Sequence, residues 1–139
     1  MQCQADIQKM AYEKLEEAEC LMGFGFFDGA YYLGGYAIEL LLKAKVCKTL
    51  GIDDFFAFSR FKREFYKPYK AHDYEELMVL SGLHSEFLMA QKDDVFKAHW
   101  SVVDIWNENA RYEMGKSGED AQIFLTSLVE IVKWIEKHL

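Results

Sequence analysis

Residues 29–50, GAYYLGGYAIELLLKAKVCKTL, decide the fold. Ala30, Leu33, Ala37, Leu40, Leu41 and Ala44 recur at the three- and four-residue spacing of one α-helical face, and Ile38, Leu42 and Val46 widen that stripe. A helix apolar on most of its sides belongs at the centre of a bundle, because only neighbours on several flanks can keep that surface from water. Gly34 and Gly35 in its middle each lower helix propensity by about 1 kcal/mol relative to alanine, so a neighbouring helix packed close against the backbone is the natural compensation. Glu39 and Lys43 stand out as charges on this rod. Spaced i,i+4 with the acid first, they either pair with each other on an exposed edge or face a pocket.

Working outward, residues 5–22 place Ile7, Ala11, Leu15, Ala18 and Met22 at helical spacing, with Lys9, Glu13, Glu16 and Glu17 on the other faces. The glycines of residues 23–29, GFGFFDG, invite comparison with a dinucleotide loop. Their spacing is G-x-G-x-x-x-G and they follow a helix, so no strand delivers the backbone to a pyrophosphate. A helix-to-helix turn is the better account, with Asp28 as N-cap of the central helix. Gly51 ends that helix.

On the C-terminal side, Asp73 with Glu76 three residues on forms a capping-box pattern that opens a third helix, closed by Gly82. After a link over residues 83–91, Asp93 caps a fourth helix with Val95, Ala98, Val102, Ile105 and Trp106 facing a core and Arg111 near its C-terminal end. Ser117 with Asp120 starts a fifth, in which Ala121, Phe124, Leu125, Leu128, Ile131, Val132 and Ile135 repeat at near-ideal spacing. No segment alternates as a strand does and no internal repeat occurs, so the expectation is all-α: one domain over residues 1–139, an up-and-down bundle of about five helices.

The composition agrees. A chain of 139 residues that is 51% hydrophobic and 16% aromatic with a single proline can bury one core, and is neither disordered nor collagen-like. Its formal charge of −7 repels phosphate polyanions in general while leaving room for a local basic patch. Residues 1–6 lack the basic start and apolar run of a signal peptide, and no segment reaches the apolar length of a membrane span, so no membrane role and a cytoplasmic setting are expected. Three widely spaced cysteines, Cys3, Cys20 and Cys47, suit reduced thiols.

The least regular stretch lies before the third helix. Phe55, Phe56, Phe58, Phe61, Phe65, Tyr66 and Tyr69 are too many rings for a solvated loop, and Phe58, Phe61 and Phe65 suit a short helix that Pro68 would stop. Arg60, Lys62, Arg63, Lys67 and Lys70 against Glu64, five cations to one anion, give residues 60–70 a net charge of +4. Cations interleaved with rings suit single-stranded nucleic acid, where bases stack and phosphates are tracked. The favoured reading is an ordered flap whose rings pack on the bundle while its charges stay wet.

Metal and cofactor chemistry find little to stand on. Di-metal bundles need Glu-x-x-His pairs on one helix face, and His72, His84, His99 and His138 have no histidine or cysteine partner at ligand spacing, so neither a metal nor a cofactor is expected. G-x-S-x-G is absent.

Taken in order, Asp28-Gly29-Ala30-Tyr31-Tyr32, then residues 36–44 (YAIELLLKA), His72-Asp73 with Leu77, Arg111-Tyr112, Asp120-Ala121 and Trp134-Ile135 resemble the HEPN domain family across nearly the whole chain. The resemblance implies a helical bundle, a homodimer, and a prokaryotic setting of toxin–antitoxin pairs, nucleotidyltransferase partner proteins and RNA-directed defence. Nuclease members carry an Arg followed after about four to six residues by a His, which together meet the needs of metal-free RNA cleavage: a cation for charge on phosphorus and a group of near-neutral pKa to move protons.

Counted from Arg111, that histidine would fall at Lys116, Ser117 or Gly118, and the motif is broken. Lys116 can hold phosphate as a point charge but stays protonated at neutral pH, and Tyr112 has the same defect as a base. Losing a general acid/base costs roughly a hundredfold to ten-thousandfold in rate, so a binding role is the expectation. Its pocket would comprise Glu39, Lys43, Arg111, Tyr112 and Lys116, with residues 60–70 as a possible RNA contact; Arg111 would pair with Glu108 or meet Glu39 across helices. The alternatives are a divergent ribonuclease toxin recruiting His72 and a scaffold subunit for a nucleotidyltransferase.

Overall fold

A computed structural model describes residues 4–51 and 73–139. In chain order these form α1 (Gln4–Gly23), α2 (Phe27–Leu50), α3 (Tyr74–Leu80), α4 (His84–Ala90), α5 (Asp94–Val103), a 3₁₀ turn (Glu108–Tyr112) and α6 (Gly118–Glu136), with no strand among the described residues. The protein is an all-α helical bundle. α2 is its central rod, and Ala30, Ala37, Ile38, Leu41, Leu42, Ala44 and Val46 are sealed from solvent on several sides at once. α1 lies along it as the other arm of a hairpin and contributes Ile7, Ala11 and Ala18. α6 covers another flank with Phe124, Leu128, Ile131 and Ile135, and α3 adds Leu77 and Met78. No described helix is long and apolar enough to cross a membrane.

Local chemistry sets most helix ends where the sequence places them. Asp73 Oδ1 accepts from the backbone N–H of Glu75 at 2.8 Å and Glu76 at 3.2 Å, Asp93 from Val95 at 2.9 Å, and Ser117 Oγ from Asp120 at 3.0 Å. Each satisfies an N–H that has no partner within its helix. Gly51 closes α2 in the left-handed conformation, with φ of 64°.

The two glycines of α2 receive the close neighbours they call for. A Cβ on Gly34 would sit 2.9 Å from Leu125 Cδ2 of α6, and one on Gly35 would run into the indole of Trp106. That indole is buried and roughly parallel to two tyrosine rings, with centroids 6.1 Å from Tyr32 and 5.4 Å from Tyr74. The Tyr74 hydroxyl in turn donates to the Gly35 carbonyl at 2.7 Å. Gly35 is thus the floor of an aromatic stack that ties α2, α3 and the link after α5 together. The Trp106 Nε1–H has no hydrogen-bond partner among the described residues, so packing alone seats this ring.

Three local expectations change. The link over residues 83–91 contains α4, a helix too short to show periodicity, which buries Phe87 against Trp100 at 4.7 Å. The fourth helix ends at Val103, well short of Arg111, because Trp106 turns inward onto α2 and the Asn107 side chain accepts from the Asn109 N–H at 2.8 Å, starting a separate 3₁₀ turn. Asp28 does not cap α2; it lies in the first turn of that helix, and its carboxylate is engaged elsewhere.

Candidate functional site

The pocket expected from the sequence divides into two places. Glu39 and Lys43 pair at 3.6 Å inside the bundle, only 1% and 6% exposed, so the pair is internal instead of occupying an exposed edge. The position follows from α2 being central, since residue 39 lies one turn beyond Gly35. Burial first, and the Glu39 carboxylate second, raise the pKa of both the Tyr36 and Tyr74 phenols above the ordinary tyrosine value, well above it for Tyr74.

Arg111, Tyr112 and Lys116 lie instead at the surface, beside the start of α2. Here Asp28 does what sequence patterning did not reveal. Its two carboxylate oxygens accept from consecutive backbone N–H groups, Oδ2 from Gly115 at 3.1 Å and Oδ1 from Lys116 at 2.9 Å. This staple holds residues 113–117 against α2, and Gly115 with φ of 84° allows the turn. Gly118 packs so closely on Phe27 that a Cβ there would lie 2.9 Å from Phe27 Cζ.

The stapled loop and the 3₁₀ turn before it each present a cation on an aromatic face. Lys116 Nζ is 4.3 Å from the centre of the Tyr31 ring and 3.0 Å from Glu113 Oε2. The Arg111 guanidinium stands 4.8 Å from the centre of the Tyr112 ring, itself 72% exposed. Tyr112 foremost, with Tyr32 and Glu108 behind it, holds the exposed Arg111 above the usual arginine pKa. The expected meeting of Arg111 with Glu39 is not made: Arg111 is exposed, while Glu39 is interior.

Of the histidines, His99 Nδ1 is 3.0 Å from Ser127 Oγ, His138 Nδ1 is 2.9 Å from the Trp134 carbonyl, and His84 is exposed. His72 and the segment with Arg60, Lys62, Arg63, Lys67 and Lys70 lie outside the described residues. Among the described residues no three His, Cys, Asp or Glu side chains cluster as metal ligands. No family model, curated protein or solved structure matches the chain. The chemistry of the site therefore rests on its own geometry: an exposed guanidinium on the 3₁₀ turn and a part-buried ammonium on the stapled loop that follows it, each over a tyrosine ring.

Tyr31 reports on that geometry. Burial, aided by Glu113, pushes its pKa up from 10.0 to about 12. A folded-state pKa raised above the unfolded value contributes stability that is complete below pH 10.0 and is lost as the pH rises to about 12. Tyrosinate absorbance against pH should show a late step that Tyr31→Phe removes, and that variant should lose less thermal stability across the same interval. A wild-type titration without late steps would contradict this placement of Tyr31.

Proposed function

We propose that the chain is a non-catalytic nucleotide- or RNA-binding module of HEPN type, working as a homodimer beside a partner protein such as a nucleotidyltransferase or an antitoxin. The observation that carries the reading is the Asp28-stapled loop, which sets the part-buried Lys116 next to the 3₁₀ turn that bears the exposed Arg111 and the exposed ring of Tyr112. A guanidinium and an ammonium suit phosphate oxygens, and an exposed phenol ring suits a base. Proton transfer has less support: Lys116, Ser117 and Gly118 occupy the positions where the resemblance calls for histidine.

The test is binding of a labelled short RNA and of ATP across a salt series. Arg111→Ala combined with Lys116→Ala should weaken binding about tenfold or more and reduce the log–log salt slope by about 1–2. Asp28→Ala, which keeps every cation, should weaken it several-fold by releasing the loop. RNA cleavage in chelator, abolished by Arg111→Ala, would overturn the non-catalytic reading, and loss of that cleavage in His72→Ala would establish the ribonuclease instead. Absence of RNA and nucleotide binding, with nucleotidyltransferase co-purification surviving Arg111→Ala, would leave a scaffold. Light scattering from monomer alone would remove the dimer.

A further inference from the structure

α1 and α6 both lie against α2, and they border a groove of about 570 Å³ that shares no residue with the Asp28-stapled loop. Glu19, Met22 and Gly23 form its α1 wall, and Leu125, Thr126, Val129 and Glu130 line it from one stripe of α6. Its floor is apolar: Leu125 is buried and Met22 and Val129 are half-buried. Gly23 leaves its own wall open, since a Cβ there would meet nothing within 4 Å. Phe24 and Phe26 follow in the chain, 76% and 63% exposed.

The charge around this floor has one sign. Glu19 and Glu130 are exposed, and no described lysine, arginine or histidine lines the groove. Glu130 stands 3.4 Å from Lys133, but a pair so exposed to water is weak and leaves the carboxylate open to a further cation. Glu19 has no ion-pair partner among the described residues. The bordering helices extend the field. With five carboxylates to two lysines in α1 and four to one in α6, each is net −3, so together they carry −6 of the chain's −7.

We infer that this groove seats a basic amphipathic helix of a partner protein, its apolar stripe on Met22, Leu125 and Val129 and its cations beside Glu19 and Glu130. A helix fits because two helical walls with an apolar floor accept apolar side chains spaced one turn apart, whereas no strand among the described residues offers an edge to an extended segment. A second copy laid face to face would bring the same net −6 against it, and an acidic or neutral helix would leave the carboxylates unanswered.

Titration of the intact chain at low salt with an amphipathic helical peptide of leucine and lysine, followed by methyl NMR and calorimetry, tests the inference. The expected result is saturable binding that shifts the Met22, Leu125 and Val129 methyl signals and weakens as salt is added. A peptide of equal charge with serine in place of leucine should bind at least tenfold more weakly, and one with glutamate in place of lysine should not bind. Glu19→Lys combined with Glu130→Lys should weaken the leucine–lysine peptide about tenfold. Gly23→Arg, at a position with open space and no left-handed φ, should do the same by placing a cation in the groove. Arg111→Ala with Lys116→Ala should leave peptide binding unchanged, so this surface and the proposed RNA site fail or stand separately. Equal affinity for the serine peptide, methyl shifts elsewhere on the bundle, unaffected groove variants, or no saturation by about 1 mM would overturn the inference. A dimer in light scattering that Gly23→Arg dissociates would also overturn it, giving the groove to a second copy.

Discussion

Gly35→Ala is expected to lower the melting temperature by roughly 8 °C, although alanine is the better helix former. The helix itself gains about 1 kcal/mol from the exchange. Against that gain, the new Cβ would occupy space held by the Nε1, Cδ1 and Cε2 atoms of Trp106. Trp106 is a rigid bicyclic ring stacked with two tyrosines, and the Tyr74 bond to the Gly35 carbonyl depends on the same close approach. Overpacking of this kind costs typically 1–3 kcal/mol, and at a rigid ring with no free end the upper part of that range applies, for a net loss of about 2 kcal/mol.

Two companion variants sharpen the test by calorimetry. Gly34→Ala should be milder, because its obstacle is a methyl at the end of the Leu125 side chain, which can rotate away. In a Trp106→Leu background, Gly35→Ala should become neutral or stabilising. A Gly35→Ala protein at least as stable as wild type, with Trp106 in place, would show that the indole does not sit on this backbone.

Lys43→Met and Glu39→Leu should each destabilise by about 3 kcal/mol in urea unfolding, because each takes from a charge only 1–6% exposed the opposite charge 3.6 Å away. The double variant should cost less than either single one, since replacing a buried pair by apolar groups of similar volume removes both desolvation penalties together. That non-additivity separates the pair from two unrelated buried residues. Costs that simply add would mean that the contact between Glu39 and Lys43 contributes nothing beyond the separate surroundings of each residue.

How much of this was legible from sequence depends on the range of the physics involved. The caps at Asp73, Asp93 and Ser117, the left-handed stop at Gly51 and the apolar rod of α2 all depend on residues within a turn or two of one another, and all appear as read. Pattern even called for a close neighbour at Gly34 and Gly35. It could not say that Trp106 would fill one of those positions, and by assigning Trp106 to a fourth helix reaching Arg111 it hid the inward turn that brings the indole there. α4 was missed because seven residues offer too few turns for periodicity to register.

The candidate site shows the same division. Arg111, Tyr112 and Lys116 were legible as residue types, and Glu39 with Lys43 as a spacing. That one group is interior and the other exposed was not legible, because burial belongs to the neighbours that α3 and α6 bring to α2. Asp28 is the clearest instance: beside a helix start its carboxylate reads as a cap, yet it bonds N–H groups 87 and 88 residues away. By itself, then, the sequence determined the longer helices, the caps at Asp73, Asp93 and Ser117 and the bundle, since these follow from interactions within a turn or two and from one apolar rod that must be covered. Only the tertiary structure decided which ring lies on Gly35, which charges go inside and which loop Asp28 holds, because those contacts join positions that packing alone makes neighbours.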